Sequence, residues 1–370
     1  MLYSEFGRTG ETVSRLGFGA MRFERPDDRD DMAAVVMHAF NRGITYFDTA
    51  PLYCDDKSED ICGLAFKEMK KTGRPFLVST KTMAATRDEI RAQLDRSLKR
   101  MNVDAVDFYH VWCLVQPEDL PGRKQLGVLD AFRELKEEGL VRHISVSTHL
   151  EHDKVGTMLD EGEGLFESML IGLNAINYSL RYPGAKAAMA RGLGVVTMNS
   201  LGGGILTQYA DSFATLMEPG DTDMVDAALR FNLSLPAVNT ALVGFRNEKD
   251  VDGAVAAVDR FRALTEQDIA RIQQEMQVAH KEFCTQCGYC SGCPGEVPVV
   301  RLMDAYNRRI LEGPKAAMDQ MKWHWWTPDV EKLLEACTRC GQCETECTQQ
   351  LPILERFERL RKDYQELAQA

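Results

Sequence analysis

The sequence predicts an α/β fold, a (β/α)8 TIM-type barrel followed by a small helical domain, and three observations carry that prediction. Short β-branched or aromatic runs alternate with polar, apolar-periodic segments eight times before about residue 260, the pattern of a closed parallel sheet ringed by helices. Three successive runs end in residues able to do chemistry: Asp48 and Tyr53 in TYFDTAPLY, Lys81 in FLVSTK and His110 in AVDFYH. A parallel barrel delivers its strand ends to one face, where barrel function sits. Finally, eight of the 11 cysteines fall after residue 283 in two tight runs. That layout is unlike a spaced disulfide framework and fits metal binding in a reducing compartment.

The chain has 370 residues, room for a barrel of about 250 and something smaller. The shift in cysteine content sets the expected boundary, with the barrel over 1–265 and a C-terminal domain over 266–370. A net charge of −12 argues against a nucleic-acid or anionic-membrane surface, both of which need clustered cations. Small molecules or basic protein partners fit that charge better. The N-terminus carries charges early, with no apolar run long enough for a secretion signal, and no stretch of about 20 apolar residues occurs. The expectation is a cytoplasmic protein with no membrane span.

Residues 2–15 read as a small hairpin suited to plugging the barrel floor, followed by a strand, LGFGAM, ending at Met21. The periodic segment 28–42 stops at Gly43 and leads into TYFDTA. Helical runs at 57–72 and 86–101 flank FLVSTK, the second with Thr86 three residues before Glu89, a capping-box pattern. After AVDFYHVW comes a longer loop, then a helix over 125–138 stopped by Gly139. RHISVST, MLIGLNAIN, GVVTMNSL and VNTALVG supply the last four strands. A doubly wound open sheet is disfavoured, because no GxGxxG follows the first strand and the units are too many.

The four strand-end residues suit carbonyl reduction. Hydride addition needs a proton donor at the developing alkoxide, and a tyrosine with a pKa of roughly 10 needs a neighbouring cation to serve. Lys81 supplies the cation, Asp48 charge-balances it, and His110 can orient the carbonyl oxygen. Taken singly, each has a structural role open to it: helix cap, loop anchor, solvated strand end, buried imidazole. All four together on the functional face favour catalysis.

The phrases FGRTGETVSRLGFGAMRF, NRGITYFDTAPLY, SLKRMNVDAVDFYHVW and RHISVSTH resemble motifs of the aldo-keto reductases. Asp48, Tyr53, Lys81 and His110 match that family's catalytic tetrad residue by residue. The resemblance implies NAD(P)(H) lying extended across the strand ends and a carbonyl or alcohol substrate. Gly19, Ala20 and Met21 would lie beside the nicotinamide, and Ser147, Thr148 and Asn177 would meet it. Ser200, Leu201, Gly202 and Gly203 would wrap the pyrophosphate, with absent side chains letting backbone N–H groups approach. Leu173 and Asn174 depart from the expected glutamine. At the adenosine end Asp250 stands where many members carry arginine, and Gly253 and Ala254 where many carry Glu-Asn. Asp250 would repel a 2′-phosphate while Arg246 and Lys249 would attract one, so selection between NADH and NADPH stays open.

Cys284, Cys287, Cys290 and Cys293 form C-x2-C-x2-C-x2-C-P; Cys337, Cys340, Cys343 and Cys347 form C-x2-C-x2-C-x3-C, with Thr348 in place of a proline. Zinc sites generally use two ligand pairs across a long loop, whereas thiolates at i, i+3 and i+6 suit an iron–sulfur cube, so two 4Fe–4S clusters are expected. The long helical-looking spacer over 297–336 points to a helical ferredoxin-type module. In the compact kind the last cysteine of each run crosses to the other cluster, and for Cys293 and Cys347 both arrangements stay open. Trp323, His324, Trp325 and Trp326 read as packing against the barrel or a second subunit, with a role in electron passage as the rival. Cys54 and Cys113 read as small buried hydrophobes.

End to end, the chain resembles aldo-keto reductases that carry a C-terminal ferredoxin domain. This implies an oxidoreductase moving hydride between NAD(P) and a carbonyl or alcohol, with a tail for electron transfer or structure. Two alternatives stand beside it: a dehydrogenase linked to a ferredoxin or quinone-type partner, and a non-catalytic docking subunit presenting the clusters. A ferredoxin or flavoprotein partner and a homodimer are the further expectations.

Overall fold

The computed structural model describes residues 1–150, 152–279, 282–284, 289–327, 329–347 and 350–369. The chain divides into two compact units, Met1–Ile269 and Ala270–Ala370. In the first, β1 (Tyr3–Glu5) and β2 (Thr12–Ser14) pair antiparallel as a hairpin. Eight parallel strands then close into a barrel: β3 (Leu16–Gly19), β4 (Tyr46–Asp48), β5 (Leu77–Thr82), β6 (Val106–Leu114), β7 (Val141–Thr148), β8 (Ser168–Gly172), β9 (Gly194–Met198) and β10 (Thr240–Gly244). β10 closes on β3, with Gly244 opposite Gly19.

Each barrel strand is followed by an outer helix: α1 (Arg29–Asn41), α2 (Ser58–Lys71), α3 (Arg87–Met101), α4 (Val128–Glu137), α5 (His152–Glu161), α6 (Tyr178–Ala190), α7 (Met224–Ser234) and α8 (Glu248–Asp259). α4 shows why: Val128, Leu129, Ala131, Phe132 and Leu135 fall on one stripe, and that stripe is buried. Asp223 caps α7 by accepting from the Val225 and Asp226 N–H groups, and Asn247 caps α8 by accepting from Asp250 N–H. The predicted capping box on α3 does not form. Thr86 donates to the Glu89 carboxylate at 2.8 Å, and neither side chain caps the backbone.

The hairpin seals the barrel interior. Phe6 and Val13 join Tyr46, Leu77, Phe108, Leu170, Val196 and Leu242 in one buried cluster, with Phe6 edge-on to Phe108 at 5.1 Å. Gly7, in left-handed backbone at φ 56, packs so closely that a Cβ there would lie 2.2 Å from Gly194 N. The first barrel strand stops at Gly19, short of the predicted Met21; its last ladder bond to β4 runs from Ala20 N–H to Asp48 O. A short helix, Asp119–Gln125, fills the loop expected to be plain before α4.

The second unit is helical. α9 (Glu266–Ala279), within which the division falls, precedes α10 (Val299–Glu312), α11 (Pro314–Asp319), α12 (Val330–Glu335), α13 (Gln342–Thr345) and α14 (Ile353–Ala368). Its core takes Leu302, Met303 and Ala305 of α10 and Ile353, Phe357 and Leu360 of α14. Of the aromatic group only Trp325 packs inside, its Nε1 donating to Asp304 at 2.8 Å, while Trp323 and Trp326 are 66% and 51% exposed. No helix among the described residues is long and apolar enough to cross a membrane.

Candidate active site and cysteine sites

Barrel register brings the four predicted residues together. Asp48 lies opposite Ser79, and Lys81 opposite His110, so neighbouring strands present them at one level. Lys81 is fully buried and donates to Asp48 Oδ2 at 2.6 Å. Its Nζ sits 5.0 Å from the centre of the Tyr53 ring. Tyr53 projects from an unusual turn: Leu52, Cys54, Asp55 and Asp56 all have positive φ, 53–71°. Each such non-glycine residue costs about 1–2 kcal/mol. Arg100 on α3 holds this turn by bonding Asp56 and Asp60.

Ser79 is a site residue that sequence reasoning missed. Fully buried, its hydroxyl donates to Asp48 Oδ1 at 2.9 Å and lies 2.9 Å from His110 Nε2. It therefore couples the acid to the imidazole. The signal was its alternation with Lys81 in FLVSTK, which puts both side chains on one face of the strand. Trp112 also belongs here, its ring edge-on to Tyr53 at 5.8 Å. Cys113 follows at φ 63 in a bulge between β6 and β7, where Arg123 anchors the backbone by donating to Trp112 O at 2.7 Å. Burial pushes the Cys113 thiol up to about 11, which keeps it a neutral neighbour of Tyr53.

The electrostatics differ in one respect from the sequence expectation. Burial raises the Tyr53 phenol above its ordinary value, and Lys81 offsets that only in part. Burial and the Lys81 charge push His110 down to about 3, so its imidazole is neutral. Lys81 is held above its ordinary value: burial opposes its charge, but Asp48 and Tyr53 outweigh that. The arrangement is a protonated phenol, a lysinium and a neutral histidine. It can donate a proton to a bound oxygen; the single N–H of the neutral imidazole, on Nε2, is given to Ser79 Oγ because the serine proton goes to Asp48.

Several predicted dinucleotide contacts line the same rim. Gly19 ends β3 beside Val243, where a Cβ would come 3.2 Å from Val243 O. Met21 is 53% exposed. Gly202, Gly203 and Gly204 follow β9 in left-handed backbone at φ 64, 70 and 101, which suits close backbone approach to phosphate. Three other predicted contacts have internal partners. Thr148 Oγ1 donates to Leu114 O at 3.0 Å, Asn177 Oδ1 accepts from Asn174 N at 2.8 Å, and Ser200 Oγ lies 3.2 Å from Thr197 Oγ1. Ser147 is buried and Leu201 half-buried. Arg246 is gripped by Asp250, with Nε–Oδ2 at 2.8 Å and Nη2–Oδ1 at 3.2 Å.

In the second unit Cys287 lies outside the described residues. Cys343 has Cys337 and Cys293 among its charge neighbours; burial, then Glu344 and these thiols, push it up to about 11. Gly295 abuts Ala336, where a Cβ would lie 2.2 Å from Ala336 O, which brings the end of the first run beside Cys337. Cys284 and Cys347 share Arg356 as a neighbour. Asn307 clamps Cys284 at both N–H and C=O, each at 2.8 Å, and Cys347 Sγ accepts from Leu351 N–H at 3.5 Å. Among the described residues no three His, Cys, Asp or Glu side chains meet at single-ion distance, and the grouping is carried by these neighbour pairs.

Comparison with known proteins agrees with both halves. The aldo/keto reductase family pattern matches residues 15–276, and the chain belongs to that family. A 4Fe-4S dicluster domain matches residues 280–351. L-galactose dehydrogenase of Arabidopsis thaliana is 27% identical over 295 residues, covering 70% of this chain and 88% of the relative. Aldo-keto reductase YhdN of Bacillus subtilis is 32% identical over 162 residues, 40% of this chain and 47% of the relative. The solved holo form of aldo-keto reductase AKR11C1 from Bacillus halodurans aligns with a TM-score of 0.64 at 22% identity, covering 74% and 96% of the two chains. That likeness speaks for the fold.

Proposed function

We propose that the barrel is an NAD(P)(H)-dependent oxidoreductase acting on a carbonyl or alcohol, with Asp48, Tyr53, Lys81 and His110 as its catalytic residues. The observation that carries this reading is the buried Lys81–Asp48 pair set against the Tyr53 ring. In reduction Tyr53 gives its proton to the substrate oxygen, and Lys81 stabilises the phenolate left behind. His110, neutral and buried, orients that oxygen by turning its Nε2–H to it from Ser79 Oγ, the hydroxyl that holds the imidazole and Asp48 together beforehand. Bound NAD(P)(H) supplies or accepts the hydride. The left-handed glycines after β9 fit its phosphates, since barrels bind phosphate on the loops after their seventh and eighth strands.

The tail reads as a holder of two 4Fe–4S clusters with crossed ligands: Cys284, Cys287, Cys290 and Cys347 for one, Cys337, Cys340, Cys343 and Cys293 for the other. The neighbour pairs Cys284–Cys347 around Arg356 and Cys343–Cys293 support the crossing. Because a cube carries one electron and a hydride two, coupling the tail to the barrel chemistry calls for an external ferredoxin or flavoprotein. The thiolate-rich tail suits a reducing compartment such as the cytoplasm.

Tyr53→Phe tests the barrel assignment. Dinucleotide binding, followed by fluorescence, should stay near wild type while turnover on a carbonyl panel falls by at least a hundredfold, the scale of a lost general acid, about 10²–10⁴. Undiminished turnover would remove Tyr53 from the reaction. Wild-type binding without turnover on any carbonyl would favour the docking subunit.

A further inference from the structure

Arg356 is a buried cation in a place where a cation is hard to explain. It is only 6% exposed and sits in the first turn of α14, the positive end of the helix dipole. Among the described residues it forms no ion pair with a carboxylate. Its Nη1 donates to Glu282 O at 2.7 Å and its guanidinium lies 4.8 Å from the Tyr306 ring centre. The Glu282 carboxylate also acts on it, but from an exposed residue and outside ion-pair distance, where water screens the charge. A buried charge without a counter-charge is costly, so the molecule should supply one. Its bond to Glu282 O sets it two residues from Cys284, its helix follows the Leu351 N–H bond to Cys347 Sγ, and both thiols, one from each cysteine run, are among its charge neighbours beside Tyr306 and Glu282. Asn307, next to Tyr306 on α10, fixes Cys284 beside it. The cation near the other cysteine set is arranged differently: Arg339, between Cys337 and Cys340, is exposed and paired with Glu358.

We propose that Arg356 is the counter-charge of the cluster held by Cys284, Cys287, Cys290 and Cys347, and that it raises that cluster's reduction potential selectively. This rests on the cluster reading given above. A thiolate-bound cube is anionic and gains one more negative charge on reduction, so a nearby buried cation stabilises the reduced form. Arg356 donates no electron and ligates no iron. It is a positioning residue acting through charge, and it makes the two clusters inequivalent.

The full chain, loaded with iron and sulfide without oxygen, would be titrated with dithionite as the one-electron donor and followed by electron paramagnetic resonance. Arg356→Gln should shift the one-electron equilibrium of a single cluster at least tenfold towards the oxidised form, about 59 mV to more negative potential. The other cluster should not move, and Arg356→Lys should behave as wild type. Unmoved potentials, or equal movement of both clusters, would overturn the proposal. So would loss of half the iron from both Arg356→Gln and Arg356→Met, which would make Arg356 a structural residue. A wild-type chain that takes up no iron and sulfide would instead overturn the cluster reading itself.

Discussion

Lys81 is the residue on which the barrel site turns, since it has no solvent exposure and its charge is balanced by Asp48 alone within ion-pair distance among the described residues. It moderates the Tyr53 phenol without bringing it below the ordinary value, because burial opposes it. The pH consequence follows in sign. The reductive reaction needs the protonated phenol, which persists below its pKa, and that pKa lies above 10 in the free protein. Reductive kcat/KM should therefore stay level from neutrality to about pH 9 and decline only above about 10. A rate profile with its basic limb near neutrality would assign the proton to another group. At the rim, Asp250 occupies Arg246 and adds its own negative charge. Asp250→Ala should free Arg246 and raise affinity for NADPH relative to NADH by about tenfold, the worth of one charge-assisted contact. Fluorescence titration with both dinucleotides measures it; an unchanged ratio would place the 2′-phosphate elsewhere.

Elements convert these residues into a site through register. Parallel pairing sets Asp48 beside Ser79 and Lys81 beside His110, and a one-residue slip would turn every one of them to the opposite face. The hairpin contributes from the other end by inserting Phe6 and Val13 into the barrel core. Its fit depends on Gly7, whose φ of 56 and near contact with Gly194 leave no room for a side chain. Gly7→Ala should cost about 2–4 kcal/mol from left-handed strain and overpacking together, read as a lower denaturant midpoint with an unchanged slope. A midpoint at the wild-type value would mean that the hairpin is not integral to the barrel. The turn that carries Tyr53 is the opposite case, four strained residues kept in place by Arg100. No residue type in YCDDK announces that geometry, because it depends on a cation from α3.

Across the whole molecule, an aldo/keto reductase barrel and a 4Fe-4S dicluster domain share one chain. The crossed ligand sets proposed for the tail are open to a sharp test. Cys293→Ser and Cys337→Ser should each remove one cluster, and the double variant should still hold about four iron, because both cysteines serve the same cube. If each run instead ligated its own cluster, the double variant would lose all of its iron. The sequence by itself determined the eight alternating units, the four strand-end residues and the two cysteine runs, since periodicity and local spacing are properties of neighbouring residues. It also placed the four helices to which it assigned ends within about three residues of them, as α2 over Ser58–Lys71 against 57–72 shows. Only the tertiary structure decided that Ser79 joins Asp48 to His110, that Asp250 holds Arg246, and that Cys293 lies with Cys337. It likewise decided that burial outweighs Lys81 at Tyr53 and that Arg356 sits near two thiols with no carboxylate at ion-pair distance among the described residues. Each of these is set by groups from distant segments meeting where water is excluded. Pattern can name such groups but cannot say which of them meet, because the field and the partners at a buried atom come from the whole fold.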